Sequence, residues 1–136
     1  MEWMLLPYKR YADFSGRSRR QEYWMFFLFQ MLVAGGAMLL ASVLIGFSGD
    51  GSLGAIVGVI LSQGLVLFSL GSIIPGIAVA VRRMHDLDKS GWALLFGLIP
   101  LVGGIILLVW YCTEGTRGAN RFGPDPKDPN SISAFT

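Results

Sequence analysis

Tyr23-Trp-Met-Phe-Phe-Leu-Phe-Gln30-Met-Leu-Val-Ala-Gly-Gly-Ala-Met-Leu-Leu40-Ala-Ser-Val-Leu-Ile-Gly-Phe47 runs 25 residues without a charge. As a helix it is about 37 Å long, enough to cross a hydrocarbon core of ~30 Å. Leu53–Val81 and Trp92–Cys112 repeat the pattern, and Asp50 is the only charged residue between 23 and 81. Of the 20 charged residues, 8 fall in 1–22, 5 in 82–91 and 6 in 113–136. A water-soluble domain this small has a large surface to cover and needs charges spread along it. Charged residues make up only 15% of the 136, against about 25% in soluble proteins, and the mean hydropathy is +0.56. This arithmetic excludes an ordinary soluble enzyme, a disordered chain and a large multidomain protein.

Backbone facing lipid must satisfy its own hydrogen bonds, so the apolar stretches are expected as helices. The expected fold is an all-α integral membrane protein. Three transmembrane helices (about 23–47, 53–81 and 92–112) make up a domain over 23–112. An amphipathic, basic interfacial segment over 1–22 precedes it, and a Gly/Pro-rich polar tail over 113–136 follows. The 48–52 connection (Ser-Gly-Asp-Gly-Ser) is short and turn-rich, which makes the first two helices an antiparallel hairpin. The second stretch exceeds the core and must tilt, overrun or bend at Pro75-Gly76. The first apolar run outlasts the ~7–15 residues of a cleaved signal, so it is read as a retained anchor.

Lys and Arg set the orientation. The N-terminal segment has five, the 82–91 loop three and the 48–52 turn none, which places the N-terminus and the 82–91 loop in the cytoplasm. Three full spans then put the tail outside, against its own Arg117, Arg121 and Lys127. A third segment that re-enters by turning at Pro100–Gly104 is the alternative, but three full spans is the preferred reading.

Within 1–22, Pro7 is expected to break any single helix. Ser18 and Gln21 have the spacing of a capping box for the first span. Tyr23 and Trp24 would anchor that span at headgroup level, and Ser90 and Trp92 would cap and anchor the third. At 100° per residue, Gly54, Gly58, Ser62, Ser69, Ser72, Gly76 and Ala80 share a sector about 80° wide. Small residues on one face let membrane helices approach closely. The face is therefore read as a packing surface, either within the chain or, through Gly58 and Gly76, in a homo-oligomer.

The antiparallel hairpin brings Arg17, Arg19, Arg20 and Glu22 to the same leaflet as Arg82, Arg83, His85 and Asp86. These eight are the expected charge-paired cap, with Arg19, Arg83 and Asp86 in one network and His85 packed beside them. Guanidinium forks suit carboxylate or phosphate equally, so anionic phospholipid is the expected partner beyond the bilayer itself. A net charge of +2 does not argue for nucleic acid. No phosphate-binding loop, metal cluster or catalytic constellation is legible, so no cofactor, metal or catalytic residue is assigned. The lone Cys112 permits no internal disulfide.

Three blocks carry a resemblance: Phe14-Ser15-Gly16-Arg17-x-Arg19-Arg20-x-Glu22-Tyr23-Trp24, Arg82-Arg83-x-His85-Asp86-x-x-x-Ser90-Gly91-Trp92, and Gly115-Thr116-x-Gly118-x-Asn120-Arg121-Phe122-Gly123-Pro124-Asp125-Pro126. In order and spacing they resemble the YhaH/YhaI-like family of small bacterial inner-membrane proteins, a domain of unknown function (number 805). Met84 departs from the leucine more usual there. The resemblance implies a bacterial inner-membrane location and brings no reaction, substrate or cofactor. The expected function is that of a non-enzymatic structural or regulatory membrane component. The alternative is a small transporter or channel built by oligomerisation, its pore lined by Ser62, Ser69 and Ser72.

Overall fold

The structure, a computed structural model, describes residues 2–47 and 51–128. The chain folds as α1 (Glu2–Lys9), α2 (Arg20–Phe47), α3 (Gly51–Asp86), a 3-10 helix (Gly91–Leu98) and α4 (Val102–Cys112). Among the described residues the only β pairing is an isolated bridge between Asn120 and Gly123. The 48–50 turn with Asp50, and the end of the tail from 129 on, lie outside the described residues.

Helices α2 and α3 have 28 and 36 residues and are long and apolar enough to cross a membrane. They do not hide that apolar surface in a core. Leu39 and Leu67 are each 69% exposed, and most other large apolar side chains of the pair face outward too. Apolar surface this continuous has lipid as its solvent. The protein is an all-helical membrane protein built on an antiparallel hairpin. Its register can be followed along the pair: a Cβ on Gly58 would lie 3.7 Å from Ile45, one on Gly76 3.7 Å from Phe26, and Arg82 meets Glu22 at 2.8 Å.

At about 54 Å, α3 is far longer than the hydrocarbon core. The helix is unbroken through Pro75 and carries residues 82–86 as its last turn, so only residues 87–90 of the expected 82–91 loop are non-helical. The Arg83 guanidinium in that turn suits the negative end of the helix dipole.

Pro7 does not break the N-terminal helix; it lies buried inside α1. The backbone bond it forfeits is offset by packing. The Tyr8 ring sits among Phe26, Phe29 and Phe68 with centroids 5.4, 6.1 and 6.4 Å away. The Tyr8 hydroxyl reaches Ser72 Oγ at 2.6 Å, and Gln30 donates to it at 3.3 Å. Ser72 is ten residues, or about 15 Å, along α3 from Arg82. The N-terminal segment is thus a wedge in the mouth of the hairpin as well as a surface element.

The third apolar stretch is not the one continuous helix expected from the sequence. It is a helical hairpin. Its first arm is the 3-10 helix, which Ser90 caps by accepting from the Trp92 amide at 3.4 Å. The chain turns at Ile99-Pro100-Leu101, with Leu101 at φ +65, and returns as the eleven residues of α4, about 16 Å long. Pro100 supplies no amide to continue a helix. Gly103 permits the crossing, since a Cβ there would lie 1.9 Å from the Phe96 carbonyl oxygen. Phe96 and Trp110 meet edge to face at 5.4 Å, and Lys89 Nζ sits 4.6 Å from the Trp110 ring centre. Both feet of this hairpin therefore stand at the same end of the molecule, beside the start of α2 and the end of α3.

Candidate functional site

At that end the polar residues close over one another. Arg82 and Arg83 are adjacent on α3, so their side chains leave about 100° apart and build two clusters. Arg82 faces α2 and the N-terminal loop. It donates to Glu22 at 2.8 Å, Ser18 Oγ at 3.0 Å and the Asp13 carbonyl at 2.6 Å, while its own carbonyl accepts the Ser18 amide at 3.1 Å. Arg83 faces α4. It donates to Asp86 Oδ2 at 2.5 Å and to the carbonyls of Trp110 and Thr113.

Arg17 completes the second cluster from the other side. Its Nε and Nη2 lie 3.0 and 2.9 Å from Asp86 Oδ1, and it also holds the Gly118 and Thr116 carbonyls at 2.6 and 2.5 Å. None of Arg17, Glu22, Arg82, Arg83 and Asp86 is more than 6% exposed. Three buried guanidiniums thus share two carboxylates, and main-chain carbonyl dipoles take up the remaining positive charge. Arg83 Nε is the one buried side-chain polar atom without a partner among the described residues.

The other predicted cap residues sort themselves around this core. His85 is packed as expected, its ring stacked on Phe122 at 4.0 Å and its Nδ1 donating to the Gly16 carbonyl at 3.1 Å. Arg19 is not in the network with Arg83 and Asp86, because Arg17 already occupies the free side of that carboxylate. It turns instead to the Pro126 carbonyl and lies 5.5 Å over the Trp3 ring. Arg20 stays on the rim, donating to the Cys112 carbonyl at 3.1 Å with Glu114 at 3.9 Å. Ser18 does not cap α2; its hydroxyl is taken by Arg82 and α2 begins at Arg20. Tyr23 stacks on Tyr111 at 4.1 Å, and Trp24 donates to the Tyr111 carbonyl, seating the end of α4 on α2.

The tail contributes more than the sequence reading gave it. Thr116 donates to the Asp86 carbonyl through its amide at 2.8 Å and its hydroxyl at 3.1 Å, and Asn120 donates to the His85 carbonyl at 2.9 Å. The Asp86 carbonyl is one that a helix end leaves unpaired, and the His85 carbonyl also accepts the Asp88 amide at 3.0 Å, so the tail caps α3. Gly115 must be glycine here: a Cβ would stand 1.9 Å from Asp86 Oδ2. The only signal in the sequence was the Gly115-Thr-x-Gly-x-Asn spacing.

The small-residue stripe divides. Gly58 and Gly76 face α2, Gly54 and Ser72 are buried within the chain, and Ala80 is half-buried. Ser62 and Ser69 are exposed, and their hydroxyls bond the Val59 and Leu65 carbonyls of their own helix at 2.8 Å. Gly58 and Gly76 thus have a neighbour within the chain, Ile45 and Phe26 of α2.

Under the tail lies a cavity of about 760 Å³ between α1, the 10–19 loop and residues 122–126. Trp3, Leu6 and Phe122 give it apolar walls, and Arg10, Arg17 and Arg19 line it with positive charge. Burial would raise the Asp13 carboxyl, but bonds from the Ser15 hydroxyl and the Arg10 guanidinium outweigh that and hold it at about 2. Lys127 and Gly118 amides likewise hold Asp125 below its ordinary range.

The fold and cap define a class: a small membrane hairpin locked at one end by buried arginine–carboxylate pairs. Its residues 11–124 match the family described as protein of unknown function (DUF805), and the chain belongs to that family. It is similar to the inner membrane protein YhaI of Escherichia coli (strain K12), 45% identical over 128 residues that cover 93% of this chain and 97% of that protein. Inner membrane protein YhaH of the same strain is 42% identical over 127 residues, covering 93% and 98%. No solved structure matches the chain.

Proposed function

We propose that this protein is a non-enzymatic structural or regulatory component of the bacterial inner membrane. Its locked cap lies at the cytoplasmic face and contacts anionic phospholipid. In this reading α2 and α3 are the only spans, the 91–112 hairpin re-enters from the cytoplasmic side, and both the N-terminus and the tail are cytoplasmic. The observation that carries it is the placement of charge. All eleven Lys and Arg residues belong to the capped half of the molecule, and the sequence from Tyr23 to Val81 carries Asp50 as its single charge. Folding the third stretch back removes the one violation of the basic-residue rule, the tail with Arg117, Arg121 and Lys127. The non-enzymatic reading is supported by how the ionisable groups are spent. Both Asp86 oxygens, Glu22 Oε1 and His85 Nδ1 are engaged in holding segments together.

The test is thermal unfolding in nanodiscs of phosphatidylglycerol and of phosphatidylcholine. A midpoint several degrees higher in the anionic lipid, shrinking with added salt, is expected from a cap that meets lipid phosphate. Equal midpoints at low salt would remove anionic lipid from the reading.

A further inference from the structure

The cavity beneath the tail has a charge ledger that does not close. Of its arginines, Arg17 is paired with Asp86 at 2.9 Å and Arg10 with Asp13 at 2.6 Å; Glu22 in the same wall belongs to Arg82. Arg19 has only neutral partners, the Pro126 carbonyl and the face of Trp3, and no carboxylate pairs with it among the described residues. A guanidinium so placed is fixed in position with its charge unanswered, and a phosphate would add an opposite charge and a bidentate geometry that a single carbonyl oxygen lacks. The walls beside it are apolar, from Trp3, Leu6, Phe122 and Pro124. A volume of about 760 Å³ is in the range of small-molecule sites and far exceeds what an inorganic anion fills.

We infer that this cavity binds one anionic amphiphile, with a phosphate monoester head on Arg19 and its apolar body against Trp3, Leu6 and Phe122. The phosphate takes the Arg19 donors now held by the Pro126 carbonyl, and the arginine–indole contact keeps the guanidinium aimed. Residues 122–126, tied down by Gly118 N–H to Asp125 at 3.0 Å and by Lys127 to Glu114 at 2.6 Å, form the roof. This deepens the reading of the cap as an anionic-lipid contact by naming a single stoichiometric site. Two sources share the head chemistry, a lipid headgroup and a free phosphate, and they are separable.

The experiment is native mass spectrometry of the full chain in neutral detergent, titrated with dihexanoyl phosphatidic acid, dihexanoyl phosphatidylcholine or inorganic phosphate. One tight equivalent of the phosphatidic acid is expected, held at least tenfold more strongly than the phosphatidylcholine and not displaced by equimolar phosphate. Arg19→Gln should weaken it at least tenfold, Arg19→Lys should restore part of the loss, and Trp3→Ala should weaken it severalfold. Lys89→Gln, at a lysine over the Trp110 ring and outside the cavity, should leave it unchanged. Each variant is compared at its own unfolding midpoint, and Trp3→Ala with Arg19→Lys carries the comparison if Arg19→Gln is unstable. Equal binding by wild type and the Arg19 and Trp3 variants would overturn the site. So would inorganic phosphate binding as tightly as the amphiphile. Either result would leave the nanodisc comparison standing, so the site can fail without the cap reading failing.

Discussion

Replacing Asp86 with alanine should be among the most damaging single substitutions in this protein. The carboxylate is 3% exposed and is shared by Arg17 and Arg83, which are 6% and 0% exposed. Removing it leaves two guanidiniums out of water with no anion between them. Breaking a buried pair by deleting one partner costs about 3–5 kcal/mol, because the surviving charge is uncompensated. That is a large share of the ~5–15 kcal/mol by which a domain is stable. For a chain of this size it corresponds to a fall in the unfolding midpoint on the order of 10–20 °C. The double variant Asp86→Ala/Arg83→Met should recover part of the loss, because one stranded charge is gone and the methionine stem keeps most of the packing. A coupling of about 1–3 kcal/mol is expected. Full recovery is not, since Arg17 remains unpaired. The assay is a thermal-melt double-mutant cycle in one detergent at fixed salt. Strictly additive losses would refute the claim that the pair acts as a unit, and an Asp86→Ala midpoint within a degree or two of wild type would refute its burial.

Gly115→Ala should cost several kcal/mol by pushing the tail off Asp86, whereas Gly104→Ala, whose Cβ would meet nothing within 4 Å, should be neutral in the same melt. Gly76→Leu should lower the midpoint by forcing α3 away from Phe26, while Gly71→Leu, which faces open space, should not; equal effects would return the stripe to an intermolecular role.

The hairpin and its polar end were legible for simple reasons. A run of 25 uncharged residues fixes a helix long enough to span, and a five-residue connection fixes its neighbour antiparallel, so Glu22 and Arg82 had to meet at one level. Arg83 and Asp86 are three apart on a helix and face each other by geometry alone. The third stretch was not resolved because length and apolarity are the same for a continuous helix and for two arms folded at a proline. What distinguishes them is backbone contact between Gly103 and Phe96, a tertiary fact. By the basic-residue rule, Arg117, Arg121 and Lys127 fit the proposed folded-back topology better than a third crossing. The role of Gly115, Thr116 and Asn120 was invisible for a related reason. Their donors serve carbonyls about thirty residues away, and a glycine-rich turn has no preferred partner until α3 presents one. The small-residue face lies on α3 by helical periodicity, but which helix fills such a groove depends on the register of the hairpin.

Cysteine accessibility in intact and permeabilised cells tests the proposed return of the 91–112 hairpin to its own face. In a Cys112→Ala background, single cysteines at Ser52, Lys89 and Arg117 are probed with a membrane-impermeant maleimide. We expect Ser52→Cys to label from outside, and Lys89→Cys and Arg117→Cys to label only after permeabilisation. External labelling of Arg117→Cys together with Ser52→Cys, with Lys89→Cys protected, would mean that the segment crosses the bilayer and would contradict the two-span, capped architecture.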